Sequence, residues 1–191
     1  MYLWSHSKKE IEKIKQLIDQ IKAETFLEIG CFKFNMTIFF LASSGEDFFM
    51  VSNDQTDYAP ERRQLIQSLC GRRFNFVLGN SHEDNTVKAI TGLFRKRKVD
   101  ILFIDGDHSA AGIEADTNNY MPLVADEGYI IWHDTVRSSQ EKMEKWFINK
   151  MVQHNLQITM FFEGTSKIAY IQKKEWERNM KGNVDKPFNR A

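Results

Sequence analysis

Apolar and polar positions follow two periods along this chain, and the switches between them mark its elements. Ile11, Ile14, Leu17, Ile18 and Ile21 fall at helical spacing behind Ser7-Lys8-Lys9-Glu10, which reads as a capping box. Short apolar runs follow, each too brief for a helix and each stopped by a glycine or a polar residue. Thr25 to Gly30 is the first, Phe48 to Asn53 (ending at Asp54) the second, and Phe74 to Leu78 the third. Val99 to Ile104 and Tyr129 to Trp132 are the fourth and fifth. Helical stretches separate them: Asn35 to Ala42, Pro60 to Leu69, Asp84 to Arg95, and Ser109 to Tyr120. Pro60 stands where a first turn tolerates proline. A helix over Ser139 to Gln153 then precedes two more strands, Leu156 to Phe162 and Lys167 to Gln172, joined by a glycine-containing loop.

Five strand–helix alternations followed by a hairpin predict an α/β fold. The sheet is expected to be Rossmann-like, doubly wound, mostly parallel and seven-stranded, with an antiparallel C-terminal hairpin strand and helices on both faces. Residues 1–173 form one domain, with 1–24 as its N-terminal helix. The polar stretch 174–191 is expected to be a loosely held tail.

Composition narrows the function classes. The 191 residues are 42% hydrophobic and 27% charged, with 26 basic and 26 acidic side chains. A neutral chain argues against nucleic acid or membrane surfaces as partners held by bulk charge. The basic run Arg95-Lys96-Arg97-Lys98 reads as a solvated helix end. Two cysteines, no apolar signal core near Met1 and no membrane-length run predict a cytoplasmic protein with reduced thiols. No feature reads out oligomeric state; a homo-oligomer is compatible with everything above.

The chemistry sits at the strand ends. Right-handed crossovers carry the ends of all parallel strands to one rim. Glu28 and Gly30, Asp54, Asn80-Ser81-His82, Asp105-Gly106-Asp107-His108 and His133-Asp134 therefore converge. Each residue alone has a capping or turn explanation. Five consecutive strands ending this way, with three histidines, point to a ligand crevice. Gly30 suits a close backbone approach, and Asp54 suits a ribose diol. No G-x-G-x-x-G follows the first strand.

Phe26-Leu27-Glu28-Ile29-Gly30, Leu78-Gly79-Asn80-Ser81-His82, Phe103 to His108 and Trp132-His133-Asp134 resemble class I S-adenosylmethionine-dependent methyltransferases. The similarity extends over Phe26 to Gln172 and is to the metal-dependent small-molecule O-methyltransferases of the catechol and macrolide-sugar type. The resemblance implies S-adenosyl-L-methionine as cofactor, held by Glu28, Gly30, Asp54, Asn80, Ser81, His82 and Asp105, with Asp57 a rival to Asp54. It implies a divalent cation, Mg²⁺ first and Mn²⁺ next, on Asp105 and Asp134. His133 stands where relatives carry an acid and is a further candidate ligand. His108 falls at the place of the general base, and Asp107 either orients it or caps the next helix. A small hydroxylated molecule, a sugar among the options, is the expected substrate.

One departure bears on activity. The family's first loop carries a second glycine and then a hydroxyl residue; here Phe34 takes the glycine's place and Met36 or Thr37 the other's. Phe34 is expected to add bulk where backbone should approach the cofactor. That motivates an alternative reading as a catalytically decayed binding or assembly module. A metallophosphoesterase reading fits less well, because Ser81 interrupts the Asn-His element and no early Asp-x-His exists.

Overall fold

The computed structural model describes residues 7–95, 97–135, 141–163 and 166–181. Its strands are β1 (Thr25–Ile29), β2 (Phe49–Asp54), β3 (Phe74–Leu78), β4 (Val99–Ile104), β5 (Val124–Trp132), β6 (Thr159–Glu163) and β7 (Ser166–Gln172). The helices are α1 (Lys8–Ile21), α2 (Asn35–Ser43), α3 (Pro60–Cys70), α4 (Asp84–Phe94), α5 (Ala110–Tyr120), α6 (Glu141–His154) and α7 (Lys173–Lys181). One sheet runs β3-β2-β1-β4-β5-β7-β6, with β1 to β5 parallel and β7 antiparallel to both its neighbours. This is the doubly wound sheet that the alternation predicts. The strand order reverses between β1 and β4, which opens a crevice at their carboxyl ends.

Side-chain alternation along the strands divides the core into two layers. Phe26, Met50, Phe103 and Ile131 pack beneath α1, α2 and α3, through Ile14, Ile18, Phe40 and Ile66. Leu27, Val51, Leu102 and Ile130 face Ile90, Ile113, Phe147 and Trp176 of the later helices. The capping box forms as expected: Glu10 N–H donates to Ser7 Oγ, and Ser7 N–H donates to Glu10 Oε2. No helix among the described residues is long and apolar enough to cross a membrane.

Two expectations are corrected. Strand β5 begins at Val124 rather than Tyr129, because Asp126 and Glu127 extend the backbone while facing solvent. The stretch after 173 is no loose tail up to Lys181. It is α7, and Trp176, only 4% exposed, packs 5.7 Å from Trp132 and 6.4 Å from Trp146 between ring centroids. The remainder of that predicted tail, 182–191, lies outside the described residues.

Candidate active site

The strand ends enclose a cavity of about 740 Å³. Gly30 and Phe32 after β1, Asp54 and Tyr58 after β2, and Asn80 to His82 after β3 line one half. Asp105 to His108 after β4, with His133 and Asp134 after β5, line the other. Gly30 is required at the seam: its φ is +85°, and a Cβ there would lie 2.3 Å from the Asp105 carbonyl oxygen. The backbones of the two loops come together there.

On the first half, Asp54 organises the β1–α2 loop as well as facing the cavity. Its Oδ2 accepts the Phe32 N–H at 2.8 Å, and its Oδ1 accepts from Thr56 at 3.2 Å. Asp57, the rival, is held by Arg63 at 2.7 Å and does not line the cavity. Asn80 accepts from the His82 N–H at 3.0 Å and so shapes its own turn. The Ser81 carbonyl accepts from the Tyr120 hydroxyl at 2.8 Å, tying that turn to α5. His82 Nε2 stands 3.3 Å from Asp116 Oδ1.

Glu28 does not line the cavity. It lies beneath the loop, 1% exposed, where its Oε2 accepts from Thr37 Oγ1 at 2.5 Å and Ser52 Oγ at 2.7 Å. Burial, with the charges of Asp105 and Asp54, pushes its carboxyl up to about 7, against the lowering effect of the two hydroxyls. Glu28 thus supports the β1–α2 region from below, through Thr37 of α2 and Ser52 of β2.

Phe34 does not fill the crevice either. Its backbone takes the left-handed conformation a glycine would take (φ 61°, ψ 26°). Its ring is wholly buried among Phe74 and Phe76, with centroids 6.2 and 5.2 Å away. The bulk expected to meet a cofactor points into the core instead.

On the second half, Asp105 Oδ1 lies 3.1 Å from His108 Nε2 and 2.9 Å from His133 Nδ1. The hydrogen bond to Asp105 raises the His108 pKa, opposed by partial burial. His133 is 2% exposed and has a carboxylate on each side, since Glu10 Oε1 lies 3.6 Å from its Nε2. Burial alone would lower its pKa; the charge and hydrogen bond of Asp105, then Glu10 and Asp134, outweigh it and raise it to about 10. Asp134 is also buried, with a left-handed backbone (φ 53°). Asp107 accepts from the Ser109 N–H at 2.8 Å, which settles its role as a turn-former at the start of α5.

For a cation, the structure groups Asp105, Asp134 and His108, with one potential ligand atom from each all within 4.8 Å of one another. The two carboxylates are the expected ones, and His108 offers a third donor atom beside them. His133, the expected further ligand, stands beside them, with its Nδ1 2.9 Å from Asp105 Oδ1 and 3.5 Å from Asp134 Oδ1. Two carboxylates and an imidazole suit a divalent ion.

A family model described as a methyltransferase domain matches residues 27–135, more than half of the chain. The chain belongs to this methyltransferase family. No curated protein matches it. Among solved structures, it resembles a protein assigned as a caffeoyl-CoA O-methyltransferase from Staphylococcus aureus, at TM-score 0.70 and 18% identity over 87% of this chain and 84% of that one. The O-methyltransferase from Bacillus cereus, solved in complex with SAH, gives 0.69 and 16% over 88% and 82%. TomG from Streptomyces achromogenes, an O-methyltransferase involved in tomaymycin synthesis and solved with SAM, gives 0.69 and 12% over 88% and 81%. These likenesses agree with the fold of class I S-adenosylmethionine-dependent methyltransferases.

Several residues of this methyltransferase's site carry no sequence signal of their own role. Glu10 reads as a helix cap and Thr37 as a loop hydroxyl, yet each meets a buried ionisable partner from another element. Phe32 and Tyr58 form an exposed aromatic pair on the rim, centroids 4.9 Å apart, from two different loops. Only the fold brings these groups together.

Proposed function

We propose that this protein transfers the sulfonium methyl group of S-adenosylmethionine to a hydroxyl of a small molecule, such as a sugar. The observation that carries the reading is His108. It faces the cavity opposite Gly30 and Asp54 and is paired through Nε2 with Asp105. With the Nε2 proton donated to Asp105, the lone pair is on Nδ1, where it can take the acceptor's hydroxyl proton. His108 would thereby leave an activated acceptor oxygen in the cavity that Gly30 and Asp54 also line. The Asp54 carboxylate suits the cofactor's ribose. When bound, S-adenosylmethionine supplies the electrophilic methyl; the chain's own contribution is alignment and proton removal.

Asp105 and Asp134, with His133 as the candidate third donor, are the residues that would hold a divalent cation, whose contribution would be to lower the pKa of the acceptor hydroxyl. Ligation through His108 Nε2 would leave Nδ1 protonated, so His108 serves as base or as ligand, not both. The experiment is calorimetric titration with S-adenosylmethionine, with and without Mg²⁺ or Mn²⁺, followed by labelled-methyl transfer to a panel of hydroxylated acceptors. His108→Ala is expected to retain cofactor binding and lose roughly 10²- to 10⁴-fold in turnover. Failure to bind the cofactor under every metal condition would overturn the reading.

A further inference from the structure

The capping box of α1 is a common device, but its glutamate sits in an uncommon place. Glu10 is 0% exposed. A carboxylate removed from water is tolerated where cationic or hydrogen-bonding partners offset the loss of hydration. One of its oxygens, Oε2, accepts the Ser7 N–H at 2.8 Å and serves the helix. The other, Oε1, faces His133 Nε2 at 3.6 Å. On the far side of that ring, Nδ1 meets Asp105 Oδ1 at 2.9 Å, and the same oxygen meets His108 Nε2 at 3.1 Å. Glu10, His133, Asp105 and His108 thus stand in contact one after another, from the N-terminal helix to the cavity.

We propose that Glu10 is a positioning residue for His108, acting through His133 and Asp105. An imidazole with a carboxylate at each nitrogen cannot turn over about its Cβ–Cγ bond without losing both contacts. With His133 fixed, the shared Asp105 oxygen is fixed, and that oxygen sets the ring plane and tautomer of His108. The seating of α1 against β4 and β5 is then part of the active site. The turnover readout of this proposal rests on the methyl-transfer reading; its spectroscopic readout does not.

Two variants separate positioning from capping. Glu10→Gln keeps the size and an oxygen acceptor for Ser7. Ser7→Ala removes the hydroxyl that caps the Glu10 N–H and leaves the carboxylate in place. In protein carrying ¹⁵N-labelled histidine, Glu10→Gln is expected to move the ring resonances of His133 and of His108. It should lower kcat roughly 10- to 100-fold, with KM for S-adenosylmethionine changed by less than about twofold. Ser7→Ala should lower Tm alone. A Glu10→Gln protein with unchanged His108 resonances and kcat overturns the proposal, as does a Ser7→Ala protein that reproduces the Glu10→Gln spectrum. Should Glu10→Gln fail to fold, His133→Gln cuts the same series one contact later, and unchanged His108 resonances there are equally fatal. A wild-type protein that methylates no hydroxyl acceptor defeats the functional reading, while the histidine spectra still decide this one.

Discussion

Glu28 is a carboxyl whose environment favours its proton, and this makes the stability of the whole chain depend on pH. Its folded pKa is raised to about 7 by burial, from a model-peptide value near 4.5. A raised pKa means that the folded state binds the proton more tightly than the unfolded chain does. The stabilisation is therefore complete below about 4.5 and is lost as pH rises through about 7, and amounts to on the order of 3 kcal/mol. Glu28→Gln, a neutral mimic that still accepts from Thr37 and Ser52, should flatten this part of the profile. Urea midpoints measured between pH 5 and 8 would show the wild type falling relative to the variant. Phe34 carries a different balance. Restoring glycine there relieves about 1–2 kcal/mol of left-handed strain but empties a fully buried aromatic site, which costs roughly 3–5 kcal/mol. Phe34→Gly should thus lower the unfolding free energy, read from urea denaturation, by a net of roughly 1–4 kcal/mol, with no gain in S-adenosylmethionine affinity by calorimetry.

At the level of elements, α7 shows how one aromatic residue can recruit a polar segment. The helix is strongly charged, yet Trp176 closes the cluster of Trp132, Trp146 and Phe147. Lys173 fixes its start by donating to the Val124 carbonyl at 2.8 Å. Trp176→Ala should destabilise the protein by about 3–5 kcal/mol, read from chemical denaturation, while a loosely attached tail would give no change. Composition hid this, because a single tryptophan among lysines and glutamates leaves no apolar period to read. The same limit hid the first half of β5, where the polar Asp126 and Glu127 break the apolar run although the backbone stays extended.

Over the whole molecule, what the chain order and the crossover rule determine was legible, and what depends on contacts between distant residues was not. The strand succession, the closing hairpin and the convergence of Gly30, Asp54, Asp105, His108 and Asp134 all follow from period and handedness. The roles of Glu28, Glu10 and His133 depend on which side chains meet below the rim. The departure at Phe34 was visible, but its effect was misread, because a sequence does not say which way a ring points.

The β1–α2 loop is held at several points beyond the glycine seam at Gly30. Asp54 receives the Phe32 N–H, and Arg62 on α3 donates to the Lys33 carbonyl at 2.8 Å and to Asn35 Oδ1 at 2.7 Å. The Phe34 N–H donates to the Cys31 carbonyl at 2.8 Å, and its ring is anchored in the core. A loop held at four successive residues behaves as part of the scaffold rather than as a flap. Its amides at Phe32 and Phe34 should therefore exchange slowly with deuterium before any cofactor is added. Cofactor should then associate in a single kinetic phase, because this wall of the site has no ordering step left to make.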